Sequence, residues 1–387
     1  MVYLLSVNYV LLSSTIARSK EEYVRYNSRA DPGSYLLKDI ERILIVKLSS
    51  IGDVVHSLPT LKALRDAYPQ AYIAWVVEEK SKDIITDNPL LDEVIIFEKE
   101  RWKKELFKTK GTKESLKDVY NFAKTLREKK FDAAIDLQGL LRSSLIAYFS
   151  GAKIRVGYRD SGEMSHIFYN LKVDSNESGI HAVDRHLYIA KFLGASINQV
   201  EFPLWISKEE RNFAKKVLSE HNISRKDLLI GLNAGASIQH NRWDKERFAK
   251  LGDILIEKHE ANIILFGGKQ DVKLVQEIYE MMRNKPINLA GKTTMKQLAS
   301  IIEYCNLFIG NDTGPLHIAV AMKVPVVAIF GPADPKRTGP YGKQNIVVYK
   351  KLSCSPCFRH PTCSDFKCMK LISVEEVLEA AERLLSR

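Results

Sequence analysis

Gly310-Asn311-Asp312-Thr313-Gly314-Pro315-Leu316-His317 joins an apolar run, Cys305 to Ile309, to the small apolar stretch Ile318-Ala319-Val320-Ala321-Met322. The first run reads as a buried strand and the last as a helix lying on a sheet. Small and polar residues therefore crowd a strand-to-helix turn. Such a turn aims backbone N–H groups and a helix N-terminus at one point, where α/β proteins hold phosphate groups. Asp312 and Thr313 are placed to cap the helix, and Gly314 permits a close backbone approach. A capped helix start with no ligand satisfies the same residues.

A second turn of this kind stands near the other end of the chain, Lys47-Leu48-Ser49-Ser50-Ile51-Gly52-Asp53. It follows the strand-like run Ile43-Leu44-Ile45-Val46 and leads into a helix through Ala67, with Pro59 early in it or at a kink. Asp53 falls at the helix start, where a carboxylate caps N–H groups. The same place, at the carboxyl end of a parallel strand, is the usual ligand position of such sheets. No GxGxxG follows either strand, which argues against a nicotinamide dehydrogenase.

Between and beyond these turns, strand and helix alternate. Strands are expected at 42–48, 71–77, 93–97, 131–136, 153–157, 228–233, 261–266, 286–289, 305–310 and 325–330. Helices are expected at 54–68, 114–129, 139–149, 182–193, 245–259, 270–283, 294–303, 315–322 and Val374 to Leu385. A change of character at 196–227, with Pro203 and a polar helix, divides two such blocks. Repeated βα units imply α/β domains with parallel sheets and right-handed crossovers. Two Rossmann-like domains, 41–205 and 206–387, are expected to face each other across a ligand cleft.

The 387-residue length suits two domains, and 45% apolar and 27% charged residues are those of a globular protein. A net charge of +11 calls for a polyanionic partner. Residues 1–40 lie outside the pattern and read as a poorly ordered extension or a misassigned start. Met1 to Ile16 is apolar but short of the ~20 residues of a membrane span, and it lacks a basic n-region. Cys354, Cys357, Cys363 and Cys368, in the segment 354–368, give C-x2-C-x5-C-x4-C. Four thiolates suit a structural tetrahedral zinc, and disulfides or reduced thiols remain open. No Asp-x-Asp beside a phosphate site argues for a catalytic divalent ion, so no cofactor is expected to be required for catalysis.

Several motifs in order resemble the lipopolysaccharide heptosyltransferases of glycosyltransferase family 9. They are Ile43–Pro59, Trp75-Val76-Val77-Glu78-Glu79, Ile135-Asp136-Leu137-Gln138-Gly139-Leu140, His181-Ala182-Val183-Asp184-Arg185, Arg242-Trp243, Phe266-Gly267-Gly268, Gly310–His317 and Gly331-Pro332-Ala333-Asp334-Pro335. The Trp-Val-Val-Glu-Glu and His-Ala-Val-Asp-Arg segments are most similar to heptosyltransferase I. The resemblance covers Arg42 to the C-terminus. It implies a GT-B fold and inverting transfer of L-glycero-D-manno-heptose from ADP-heptose to Kdo of lipid A. Heptosyltransferase II, a transferase using another nucleotide sugar, and a noncatalytic sugar-nucleotide-binding protein stay open.

By the same resemblance Asp53 is the catalytic base. Ser237, Asn241, Arg242, Asp271, Asp312, Thr313, Gly314 and His317 bind the donor, Asp271 at the ribose and the 312–317 turn at the diphosphate. Ser50, Gly52, Arg101, Lys103, Lys104, Arg142, His181 and Arg185 line the acceptor side. One departure stands out: relatives carry Lys-Arg-Trp where this chain has Asn241-Arg242-Trp243. Arg242 or His240 then takes over that lysine's contact with the phosphates, or donor binding is weaker, or the donor differs. The basic stretch Lys99 to Lys113 fits Kdo carboxylates, lipid A phosphates and an anionic membrane surface. No helix-turn-helix, zinc-finger or RNP pattern supports nucleic acid. The implied place of work is the cytoplasmic side of a Gram-negative inner membrane, peripherally bound.

Overall fold

The computed structural model describes residues 40–99, 101, 111–174, 180–357 and 363–386; side chains are described outside 111–116. The extension 1–39 and Lys103 and Lys104 lie outside the described residues.

The first block runs β1 (Arg42–Val46), α1 (Ile51–Ala67), β2 (Tyr72–Glu78), β3 (Glu93–Phe97), α2 (Gly111–Glu128), β4 (Ala133–Asp136), α3 (Leu141–Phe149), β5 (Ile154–Tyr158), β6 (Leu171–Val173) and α4 (Ala182–Phe192). The second runs α5 (Lys208–Glu220), β7 (Leu229–Asn233), α6 (Lys245–His259), β8 (Asn262–Phe266), α7 (Val272–Met281), β9 (Ile287–Asn288), α8 (Met295–Ile302), β10 (Leu307–Asn311), α9 (Gly314–Ala321), β11 (Val326–Phe330), α10 (Pro335–Thr338), β12 (Ile346–Tyr349), α11 (Lys367–Lys370) and α12 (Val374–Leu385).

Each block closes a six-stranded sheet, ordered β3-β2-β1-β4-β5-β6 and β12-β11-β10-β7-β8-β9, with parallel pairing throughout. The central strands are continuous apolar runs because helices cover both faces. Leu44, Ile45 and Val46 of β1 and all of β11 are buried. Trp75 is fully buried, and its indole N–H donates to the Lys47 carbonyl at 3.0 Å. The end of β1 is thereby tied to β2.

Strand order reverses between β1 and β4 in one sheet and between β7 and β10 in the other. Crevices open at such switch points, at the carboxyl ends of the strands. The two turns that stood out in the sequence occupy these two places.

Some boundaries differ from expectation. α1 begins at Ile51 rather than 54, because Ser50 and Asp53 form a capping box that starts the helix a turn sooner. Pro59 stands in the interior of α1, which continues through it to Ala67. The short edge strands β6 and β12 were not expected. At three and four residues they are too brief for a periodic signal, and β12 is half-buried throughout.

The blocks meet along α1 and α9. Their apolar side chains belong to one buried cluster that includes Val54 and Leu58 from α1 and Leu316 and Ile318 from α9. A polar tie crosses the boundary as well: Lys296 Nζ donates to the Thr86 carbonyl at 2.6 Å. The chain leading to the second block is fastened to the first, where Asn88 Nδ2 donates to the Pro203 carbonyl at 2.6 Å.

Candidate functional site

The turn after β1 is held by the turn after β4. Asp136 is fully buried and accepts from the backbone N–H of Gln138 at 2.8 Å, from Gly139 N–H at 3.0 Å and from the Tyr169 hydroxyl at 2.6 Å. Burial still leaves its pKa above the usual carboxylate value, against those hydrogen bonds. Gly139 adopts φ +68°, the left-handed region that suits glycine. This geometry aims Gln138 Oε1 at the Leu48 and Ser49 N–H groups, which donate to it at 3.2 and 3.3 Å. The Asp-Leu-Gln-Gly motif thus acts as a brace for the turn that carries Asp53.

Asp53 is half-buried at the start of α1. Its Oδ2 accepts from Ser50 N–H at 2.9 Å and from Ser50 Oγ–H at 2.8 Å. Burial raises its pKa, but Lys47 and the two Ser50 hydrogen bonds outweigh that and hold it below the ordinary value. Lys47 is only 4% exposed, and its ammonium donates to the Leu137 carbonyl at 3.1 Å. Desolvation lowers its own pKa while Asp53 and Asp136 oppose the drop. The site therefore contains an ionised carboxylate with a buried cation behind it. The sequence alone gives Lys47 no role, since a lysine after a strand does not itself announce burial.

Of the residues expected on the acceptor side, Arg101, Arg142, His181 and Arg185 already have partners. Arg142, in the first turn of α3, reaches Glu78 at 3.3 Å, and Lys99 approaches the same oxygen at 3.6 Å. Arg185 reaches Asp160 at 3.3 Å and lies over the Tyr158 ring at 4.2 Å. The Nε atoms of Arg142 and Arg185 are buried without a hydrogen-bond partner. Buried polar atoms left unpaired cost free energy. Arg101 is turned to Glu98 at 2.6 Å and Asp118 at 2.7 Å, out on the exposed edge. His181 caps α4: its Nδ1 accepts from Val183 N–H at 3.1 Å, and its Nε2–H donates to the Gly339 carbonyl at 2.8 Å. It is therefore a neutral bridge between the blocks, with burial lowering its pKa. Ser50 is exposed at the turn, and Gly52 is buried against the second block.

On the donor side Asn233 and Asn311, ending β7 and β10, pin their two loops together. Asn311 Nδ2 donates to the Ala234 carbonyl at 2.8 Å, and Asn233 Nδ2 donates to Thr313 Oγ1 at 3.2 Å. Thr313 is the N-cap of α9 but makes no side-chain cap, since its hydroxyl donates to the Asn311 carbonyl instead. The expected capping by Asp312 and Thr313 is thus not made. Asp312 instead stands 3.4 Å from His317 Nε2. Asp271 is 5% exposed and accepts from Gly268 N–H at 3.1 Å. Arg242 reaches it at 3.2 Å while donating to the Ala236 carbonyl at 2.9 and 2.7 Å. Arg242 is therefore committed to shaping the loop. His240 stacks on Phe366 with centroids 5.7 Å apart, and His240 Nε2 and Asn241 Oδ1 are buried without partners. Ser237 is exposed on the loop rim.

The four clustered cysteines are free, Cys368 beside Gly331. Burial raises the Cys368 pKa, and the other three thiols raise it further, so all four face one neighbourhood. Among the described residues no three His, Cys, Asp or Glu side chains are arranged to hold a metal ion. No described helix is long and apolar enough to cross a membrane.

This geometry can be compared with known proteins. The family model described as Glycosyltransferase family 9 (heptosyltransferase) matches residues 119–367. A lipopolysaccharide core heptosyltransferase of Haemophilus influenzae is 28% identical over 79% of this chain and 83% of its own length. A solved family 9 glycosyltransferase from Veillonella parvula is 32% identical, with a TM-score of 0.79, over 89% of this chain and 97% of that one. An E. coli ADP-heptose lipopolysaccharide heptosyltransferase II is 26% identical, with a TM-score of 0.69, over 89% and 98%. These likenesses establish the GT-B arrangement of the two blocks. The turn bearing Asp53, the opposed turn at 312–317 and the match across more than half the sequence agree: the chain belongs to glycosyltransferase family 9, the heptosyltransferases.

Proposed function

We propose that the protein moves L-glycero-D-manno-heptose from ADP-heptose to a Kdo residue of lipid A, with inversion, in lipopolysaccharide core assembly. The observation that carries this reading is the opposition of the two turns. An ionised Asp53 stands at one switch point, and an uncapped helix start with Asp312, Thr313 and Gly314 stands at the other. In the step, the Asp53 carboxylate takes the proton of the acceptor hydroxyl. The hydroxyl oxygen forms the bond to the anomeric carbon as the bond to the diphosphate oxygen breaks on the opposite face. The electron pair leaves with ADP, where N–H groups of α9 stabilise the growing charge. Asp271 anchors the ribose. Arg142 and Arg185, each with an unpaired Nε, receive the acceptor's carboxylates.

The relatives named above support a lipopolysaccharide core substrate, and one of them is named for ADP-heptose. Asn241 favours a second reading, because a neutral amide stands where relatives place a donor-contacting lysine. That reading is a related transferase using another nucleotide sugar; a heptosyltransferase II reaction, with the same donor and a later acceptor, is a separate alternative. Peripheral binding to the anionic inner membrane, and a stabilising zinc on Cys354, Cys357, Cys363 and Cys368, belong to the same proposal. Lipid co-sedimentation and the metal content of purified protein test them.

The deciding experiment mixes the protein with ADP-heptose and Kdo-lipid A and weighs the product. A gain of one heptose establishes the reading. Binding of ADP-heptose without product on this acceptor, but with product on a heptosylated acceptor, establishes a heptosyltransferase II reaction, and no binding of ADP-heptose favours another nucleotide sugar. Binding with product on neither overturns both in favour of a sugar-nucleotide-binding protein.

A further inference from the structure

α1 and α9 approach each other N-terminus to N-terminus, and two glycines set the separation. A Cβ on Gly52 would lie 2.6 Å from His317 Cδ2, and one on Gly314 would lie 2.6 Å from Ile51 Cγ2. Into this contact the helices place two buried imidazoles, His56 at 3% and His317 at 5% exposure. His56 Nε2 is 3.1 Å from His317 Nδ1, with the rings edge-on at 4.3 Å. His317 Nε2 in turn faces Asp312 Oδ1 at 3.4 Å. His56 has no place in the donor and acceptor sets described above.

The direction of the bridge follows from its ends. A carboxylate accepts and does not donate, so Asp312 favours the proton of His317 on Nε2. His317 Nδ1 is then an acceptor, and His56 donates to it through Nε2–H. His56 Nδ1, buried without a partner, is left as a bare lone pair. The reverse direction would place an N–H there with no acceptor, which is the costlier arrangement. We propose that His56 is a positioning residue for the donor site, acting across the domain boundary through His317. It locks the ring and tautomer of His317, and with them the placement of the 312–317 turn against the helix that carries Asp53. His56 lies one turn along α1 from Asp53, so one element sets both. The inference rests on the proposed donor diphosphate at that turn.

In this direction the bridge needs the Nε2–H of His56 and the Nδ1 lone pair of His317. The groups facing His56 are Lys47 after β1, His181 and His186 on α4 and His317 on α9, and none is an anion. Asp53, on the same helix, faces Lys47 and His186. Burial and these neighbours hold the His56 pKa well below the ordinary histidine value. A proton on His317 Nδ1 would reverse the bridge, making His56 Nε2 the acceptor and leaving an N–H at His56 Nδ1 without a partner.

Two variants of the full chain separate positioning from packing. Gln at 56 keeps an N–H near the place of Nε2, and Leu fills similar space without one. His56→Leu is expected to lower kcat/KM for ADP-heptose at least tenfold, with a raised donor KM. His56→Gln is expected to stay within threefold of the parent. Equal impairment in both, or none in His56→Leu, overturns the proposal. Nitrogen-15 imidazole spectra of the parent protein give a measurement free of folding defects and of turnover. Both His56 and His317 are expected to be neutral with the proton on Nε2; a proton on His317 Nδ1 overturns it. Because the spectra need no acceptor, failure of the assigned reaction is read separately from failure of the bridge.

Discussion

Asp53 and Lys47 show how one charge is kept ready. Asp53→Asn removes the proposed proton acceptor while preserving shape, so kcat should fall by about 100-fold to 10,000-fold. Calorimetric titration should find ADP-heptose affinity largely unchanged. If Asp53 is only a helix cap, the loss is ~1 kcal/mol of stability with turnover intact. Lys47→Met tests the cation behind it. The folded pKa of Asp53 lies below its ordinary value, so its contribution to stability is full above the ordinary carboxylate range. That contribution is lost as pH falls through the folded value. Without Lys47, the largest of the influences that oppose burial is gone, so the pKa of Asp53 rises. The acid limb of the kcat profile should then move to higher pH, and a profile that does not move would exclude Lys47 from this role. Asp53 was legible because its turn and neighbours form a motif. Lys47 was not, because a strand-ending lysine announces neither burial nor the carboxylate it meets. Arg242 was half legible: its place beside the donor loop was expected, and its commitment to Asp271 and the Ala236 carbonyl was not.

At the scale of elements, helices were easier to read than sheet edges. α6 and α12 match the expected 245–259 and 374–385, since amphipathic runs of twelve to fifteen residues carry several turns of periodic signal. α1 began early because a capping box is a side-chain event, not a hydropathy event. The brace formed by Asp136 and Gln138 could not be read at all, since it depends on which strand lies beside β1. It yields its own expectation. Asp136→Ala leaves the Tyr169 hydroxyl and two N–H groups unpaired inside the protein, at ~1–3 kcal/mol for such a group. Urea unfolding should show that loss, and turnover should fall further than stability because the Asp53 turn loosens. The contact of α1 with α9 is equally sensitive. Gly52→Ala places a methyl 2.6 Å from the His317 ring, so the helices must separate. The donor KM should rise with little change in secondary structure by circular dichroism.

Over the whole molecule, two sheets with reversed strand order put their switch points face to face. Fold class, the number of blocks and the two opposed turns were all visible in the alternation of apolar runs. Their separation was not, because it is set by contacts between residues as distant in sequence as His56 and His317. A nucleotide bound at the second block touches a turn that the first block packs against, so binding should stabilise both blocks together. At a hundred times its dissociation constant ADP should add about 2.7 kcal/mol to unfolding. A scanning calorimeter should show one transition moving up, rather than the second of two.

The apolar cluster that runs from α1 into α9 has a consequence for the chain as a polymer. If the polypeptide were severed between the blocks and the halves made separately, each would present a greasy wall to water. Neither half would be content alone; mixed in the same tube they should find each other without a linker. The two blocks behave less like beads on a string than like a walnut, whose shells close on a seam they share.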